Sequence, residues 1–138
     1  MKQEKSCGII PFYLTNNKLH VLLVKQNNGV IGFPKGHVEN NETEIETAIR
    51  ECKEETSLDV FQLNNFRTSI SYYIPELDVM KEVVFFIGNI VKYEVKKQES
   101  EINDIFLVPI NEAYDLISYE DTKEVLRQAI EYINRNIK

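Results

Sequence analysis

The amino-acid sequence predicts a single α/β domain, and three observations carry that expectation. The chain has 138 residues, long enough to bury one substantial core and giving no reason for two domains. Hydrophobic residues make up 43% and charged residues 28%, the balance of a globular protein rather than a disordered or fibrous one. Apolar, β-branched runs and helical periodicity follow one another in the order strands, helix, strands, helices, with no internal repeat, low-complexity tract or linker between them.

The elements are justified in order. Residues 6–14 and 19–25 are apolar runs separated by Thr15-Asn16-Asn17-Lys18, a turn composition, and predict a hairpin. Asn27-Asn28-Gly29 opens a loop through Gly32-Phe33-Pro34-Lys35-Gly36, whose glycines and proline exclude regular helix. From Glu42 to about Thr56 there is no Gly or Pro, and Ile45, Ala48, Ile49 and Cys52 recur at spacings of three and four, which predicts a helix with Asn41 as its cap. Residues 60–73 and 79–91 are again strand-like, with Pro75 and Asp78 marking the loop between them. Ile105–Val108 predicts a short buried strand ended by Pro109, and residues 110–117 a brief helix. Ser118 and Asp121 resemble a capping box ahead of a final amphipathic helix carrying Val125, Leu126, Ala129, Ile130 and Ile133.

Composition also excludes. No apolar run approaches the length of a bilayer span, and the polar start Met1-Lys2-Gln3-Glu4-Lys5 lacks a signal-peptide core, so no membrane partner and a cytoplasmic location are expected. Cys7 and Cys52 lie far apart without metal-ligand spacing and predict two buried thiols, neither disulfide nor zinc site. A net charge of -6 argues against broad nucleic-acid binding, because such proteins neutralise phosphates with lysine and arginine. A small polyphosphate remains possible where divalent cations stand between the two negative partners.

Glu51, Glu54 and Glu55 fall within an arc of roughly 100° on the candidate helix, beside the arc of Ile45, Ala48, Ile49 and Cys52. One side can pack inward while the carboxylates project from its edge. Like charges at this spacing repel, and anions near a helix C-terminus oppose its dipole. Neutralisation by a hard divalent cation rationalises the arrangement, since Mg²⁺ takes oxygen ligands and shares its other positions between water and phosphates. A solvated acidic face is the bland alternative. Arg50, able to pair with a carboxylate, and the glycine-rich loop upstream favour the functional reading.

Gly36, Glu42, Arg50-Glu51, Cys52, Glu54-Glu55 and Leu58, at their spacing across residues 36–58, resemble the Nudix box. One position departs: Ser57 stands where the family has glycine, at the expected helix C-cap, with an expected stability cost on the order of 1 kcal/mol. The resemblance implies one Nudix hydrolase domain over residues 1–138, folded as an α/β/α sandwich with a mixed central sheet. It implies Mg²⁺ (or Mn²⁺) and an attacking water, with Glu51, Glu54 and Glu55 as metal ligands, the Gly36 carbonyl as a further one, and Arg50 orienting Glu51. Glu101, ahead of the strand at 105–108, lies where the family often supplies another carboxylate as base or ligand, and Glu99 competes for that role.

Outside the box, Gly32–Glu39 and the Ser6-Cys7-Gly8-Ile9-Ile10 start are similar to segments of the asymmetric diadenosine tetraphosphate hydrolase branch. That similarity implies substrate contacts for Lys35 and Lys81 with phosphate, His37 beside the box glycine, and purine stacking by Tyr72, with Tyr73 adjacent, and by Tyr119. His20, in a strand, is expected to be structural. The implied reaction is cleavage of a phosphoanhydride in a dinucleoside polyphosphate, diadenosine tetraphosphate giving ATP and AMP. A pyrophosphohydrolase of RNA 5' ends or nucleoside triphosphates is the second enzyme reading. A catalytically silent nucleotide-binding sensor is the reading of another class, disfavoured by the intact glutamates. The oligomeric state is left open.

Overall fold

The computed structural model describes residues 1–62, 65–98 and 100–136. In chain order the strands are β1 (Lys2–Thr15), β2 (Lys18–Gln26), β3 (Ile31–Gly32), β4 (Lys35–His37), β5 (Val60–Gln62), β6 (Thr68–Ile74), β7 (Val79–Ile90) and β8 (Ile102–Pro109). The helices are α1 (Glu44–Thr56), α2 (Ile110–Leu116) and α3 (Glu120–Asn136). All eight strands join one sheet along the path β3-β2-β1-β7-β5, with β8 against β2, β4 against β1 and β6 against β7. The sheet is mixed: β1 and β7 run parallel, Ser6 facing Val83 and Ile10 facing Ile87, while the other pairings are antiparallel.

The central strands are buried on both faces, which is why they read as continuous apolar runs. Along β7 the pleat sends Val83, Phe85 and Ile87 into a core shared with Val125, Leu126 and Ala129 of α3 and Ala113 of α2. It sends Val84 and Phe86 into a second core with Cys7, Ile9, Ala48 and Cys52, against α1. Helix α1 therefore covers one face and α2 with α3 the other, giving the α/β/α sandwich. Both cysteines are fully buried and unbridged, and burial pushes their thiols up, Cys7 to about 11 and Cys52 to about 12. They serve as small apolar packing units. No helix among the described residues is long and apolar enough to cross a membrane.

Several boundaries differ from the sequence expectation: residues 60–73 hold two strands, β5 and β6, both paired with β7, and β8 begins at Ile102 because its start pairs with Gln26. Strand β1 begins at Lys2 because its polar start is a partner for β7, with Lys2 facing Val79. Asn41 does not cap α1: Asn40 and Asn41 both adopt left-handed backbone in a turn (φ 45° and 64°), whereas an N-cap needs extended geometry. Thr43 has it (φ -73°, ψ 164°), and with Glu46 it closes a capping box in which each side chain accepts from the other's backbone amide. Ser118 does not form the expected box with Asp121. Its Oγ instead accepts from the Ile31 amide at 2.8 Å.

Candidate functional site

The acidic site is assembled on α1 and the β4 segment. Gly8 in β1 has no side chain, and a Cβ there would meet the Pro34 carbonyl oxygen at 2.6 Å and Lys35 Cβ at 2.8 Å. Glycine thus lets β4 lie against β1, with Gly8 facing Lys35 and Cys7 facing Gly36. Gly36 in turn carries the Glu51 carboxylate in the space its own Cβ would fill. Any side chain at position 36 would expel Glu51, which is the physical content of the glycine in the motif.

Arg50 organises the carboxylates. Its Nε donates to Glu42 at 2.6 Å, and one terminal nitrogen donates to Glu42 at 3.0 Å and to the His37 carbonyl at 2.9 Å. The other donates at 3.0 Å to Glu51 and to Glu54. The guanidinium spans the loop and the helix and locks both, as its planar fork allows. Hydrogen bonding to Arg50 holds the Glu42 carboxyl down at about 2, and the carboxylates keep Arg50 protonated.

The three box glutamates are not equivalent. Glu54 is 45% exposed in its side chain, while Glu51 and Glu55 are 9% and 3% exposed as residues. Burial first, then the neighbouring Glu51, pushes the Glu55 carboxyl up to about 9, opposed by Lys35. Burial also raises Glu51, against the pull of Arg50. The two carboxyls are close enough to influence each other, and the Glu51 charge disfavours ionisation of Glu55.

A divalent cation fits this donor set. Its ligands would all be oxygen, as hard cations require; the Gly36 cradle fixes one carboxylate, and burial together with Glu51 disfavours charge on Glu55 more than Lys35 offsets. Among the described residues no three acidic, histidine or cysteine side chains converge as a ready-made cage. Glu54 is drawn instead onto Arg50, and it would have to turn from the guanidinium to join Glu51 and Glu55.

Two neighbouring cavities lie beside this site, and the smaller touches Glu55. The larger, about 700 Å³, is lined by Lys35, Tyr72, Lys81 and Tyr119, together with Phe33 and Asp121 among others. The smaller, about 280 Å³, is lined by Lys35, Glu55 and Glu101 with Gln26, Asn27 and Asn28. Gln26, Asn28 and Lys35 line both, so the two spaces are neighbours and Lys35 stands at their common wall. Burial and the neighbouring Lys81 lower the Lys35 ammonium, while Glu55 and Glu51 oppose that shift.

Four of the expected substrate contacts are thus brought together from four elements. Tyr72 faces Lys81 across the β6–β7 pair. Tyr73 points its hydroxyl to Asp78 at 2.7 Å and lines neither cavity, because successive strand residues alternate faces. His37 is not brought in: its imidazole lies 3.6 Å from Glu4 and also lines neither cavity, although its carbonyl accepts from Arg50. His20 bonds the Lys18 carbonyl. Glu101 reaches the smaller cavity beside Glu55, and Glu99 lies outside the described residues. Gln26, Asn28 and Asp121 were not singled out from the sequence. The Asn27-Asn28 doublet signalled a turn, and nothing local tells that this turn would border a ligand space.

The C-terminus of α1 completes the wall. Ser57 adopts the left-handed geometry expected of the missing glycine (φ 66°, ψ 9°), and its amide donates to the Lys53 carbonyl. Its hydroxyl donates to the Lys96 carbonyl at 3.2 Å, while the Lys96 and Gln98 amides donate to the Thr56 and Glu55 carbonyls. Residues 96–98 are thereby tied to the helix end and lead into Glu101.

A model of the NUDIX domain matches residues 7–130. The asymmetrical bis(5'-nucleosyl)-tetraphosphatase of Sus scrofa is 29% identical over 94% of this chain and 95% of its own length. Its counterpart from Rattus norvegicus is 27% identical over the same shares. Among solved structures, a binary complex of a C. elegans Ap4A hydrolase matches with a TM-score of 0.86 at 20% identity, covering 95% of this chain and 98% of that one. The NUDIX domain of Shewanella oneidensis NrtR complexed with ADP ribose matches with a TM-score of 0.79 at 19% identity, over 96% and 90%. At these identities the structural matches speak for the fold.

Proposed function

The chain belongs to the NUDIX family of hydrolases, and from that premise we propose that it cleaves dinucleoside polyphosphates asymmetrically, diadenosine tetraphosphate and water giving ATP and AMP, with Mg²⁺ as cofactor and Mn²⁺ able to replace it. The observation that carries the reading is the adjacency of the two cavities: a lysine- and tyrosine-lined space shares Lys35 with a smaller one lined by Glu55 and Glu101. Relatives named for this activity align along nearly the whole chain, which supports the same choice.

Each group has a role that its surroundings suit. Tyr72 and Tyr119 offer ring faces to a purine, for about 1–3 kcal/mol per stacked base. Lys81 and Lys35 take up phosphate charge and draw the chain of phosphates toward α1. Glu51, Glu54, Glu55 and the Gly36 carbonyl hold the cation, which when bound polarises the scissile phosphoanhydride and lowers the pKa of the attacking water. Arg50 keeps Glu51 in its rotamer. Glu101 accepts the proton of the attacking water, with Glu54 as the competing base, and Lys35 neutralises charge that develops on the departing ATP.

Product chromatography with Mg²⁺ tests this directly. The expected result is ATP and AMP from diadenosine tetraphosphate; much faster turnover of nucleoside triphosphates or RNA 5' ends would replace it with the pyrophosphohydrolase reading. Hydrolysis surviving in the double variant Glu54→Gln/Glu55→Gln would show that the active centre lies elsewhere.

A further inference from the structure

Tyr119 borders the larger cavity yet is 56% exposed, so packing alone does little to hold it. Its backbone is held on both sides. On the helix side its carbonyl accepts from the Lys123 amide at 3.1 Å, in the first turn of α3. On the other side stands Ser118, whose amide donates to the Ile31 carbonyl at 3.0 Å while its Oγ accepts from the Ile31 amide at 2.8 Å.

The reciprocal pair ties two distant segments of one cavity. Ile31 and Gly32 form β3, a two-residue edge strand that borders the same space as Tyr119. In this short edge strand Gly32 faces Val24 and Ile31 faces Lys25, and Ser118 supplies the Ile31 amide and carbonyl with partners. Gly32 also lies close to Thr122 of α3: a Cβ at Gly32 would be 3.8 Å from the Thr122 methyl. Strand β3 and the turn before α3 are therefore one joint, and Ser118 is the residue that closes it.

We propose that Ser118 is a positioning residue for substrate binding, holding Tyr119 at the rim of the nucleotide cavity by clasping the Ile31 backbone. The inference rests on the stacking role given to Tyr119 above. It explains the serine that the sequence pattern offers as a helix cap: its hydroxyl is spent on β3 and not on the α3 amides. Since Ser118 touches neither substrate nor cation in this reading, its effect falls on binding and leaves the chemical step alone.

The test is a kinetic double-mutant cycle on the full chain with diadenosine tetraphosphate and Mg²⁺. Ser118→Ala is expected to raise KM about three- to tenfold, the span of one modest hydrogen bond, with kcat unchanged. Ser118→Thr keeps the Oγ and is expected to retain the parent KM. In the Tyr119→Ala background, Ser118→Ala is expected to add nothing further, because the ring it positions is gone. A KM increase of equal size in both backgrounds, equal damage from Thr and Ala, or an unchanged KM in Ser118→Ala would each overturn the proposal. If Tyr119→Ala itself leaves KM unchanged, the stacking role fails and this inference with it. If Tyr119→Ala raises KM while Ser118→Ala does not, only the inference fails. Ser118 is exposed and its amide bond to Ile31 survives truncation, so the variants are expected to fold, and thermal melts check this.

Discussion

The acidic helix and the tyrosine–lysine cavity are built in opposite ways. The first is local: Arg50, Glu51, Glu54 and Glu55 occupy little more than one turn of α1, and the Gly36 and Glu42 partners are a short loop away. The second is distributed, drawing Lys35 from β4, Tyr72 from β6, Lys81 from β7 and Tyr119 from the turn before α3. The first carries electrostatic conflict, with the Glu55 carboxyl pushed up by burial and by its neighbour Glu51. In the second, charged ends and aromatic faces meet a space open to ligand. Chemistry is concentrated where the fold opposes charge, and recognition is placed where it leaves room.

That contrast is sharpest at Glu55, where the largest effect is expected. Glu55→Gln should lower kcat by about 10³-fold, comparable to the loss of a key electrostatic group, and should do so while stabilising the metal-free protein. The folded carboxyl is held at about 9 against a usual value of 4.5, so the folded state favours the proton. Stability from this group is fully present below about 4.5 and is lost as pH rises through 9. Glutamine removes the loss, so the melting temperature at pH 8 should rise by about 2 °C or more and the gain should vanish near pH 4. Equal melting temperatures at pH 8 would mean that Glu55 carries no buried-charge penalty.

An intermediate effect is expected in the cavity. Tyr72→Ala should raise KM for diadenosine tetraphosphate by about tenfold, within the range of one lost base stack, while kcat stays close to that of the parent chain. Tyr73→Ala, one residue on but facing Asp78, should leave KM unchanged. A larger KM effect at Tyr73 than at Tyr72 would reverse the assignment of faces on β6.

The smallest effect separates fold from function. Ser57→Gly relieves a left-handed backbone at the helix end and loses the bond to the Lys96 carbonyl. The net expectation is stabilisation by up to about 1 kcal/mol, read by chemical denaturation, with hydrolysis unaltered. A clear loss of activity would instead assign Ser57 a part in holding residues 96–98 against the end of α1.

Legibility followed the same division. The periodicity of α1, the placing of Ser57 at a helix end and the strand character of β7 were readable because each depends on residue types within a turn or a short apolar run. The cap was misplaced from Thr43 to Asn41 because both residues suit a cap by type, and only the left-handed turn at Asn40–Asn41 separates them. His37 and Ser118 show the limit more clearly. Type and proximity to a motif suggested a ligand contact for one and a helix cap for the other, yet partners distant in sequence claimed them: Glu4 for the imidazole, Ile31 for the hydroxyl.

By itself the sequence determined the element order, the acidic face of α1 and the glycine-rich loop ahead of it, since these follow from residue type and spacing along one stretch of chain; that Gly36 makes room for Glu51 is a contact between β4 and α1. Tertiary structure alone decided that Lys35, Tyr72, Lys81 and Tyr119 border one cavity, that Glu101 reaches Glu55 through a second, and that Glu51 and Glu55 are buried while Glu54 is not. The physical reason is that burial and convergence depend on which surfaces the sheet brings together, and β1 meets β7 across more than sixty residues of intervening chain.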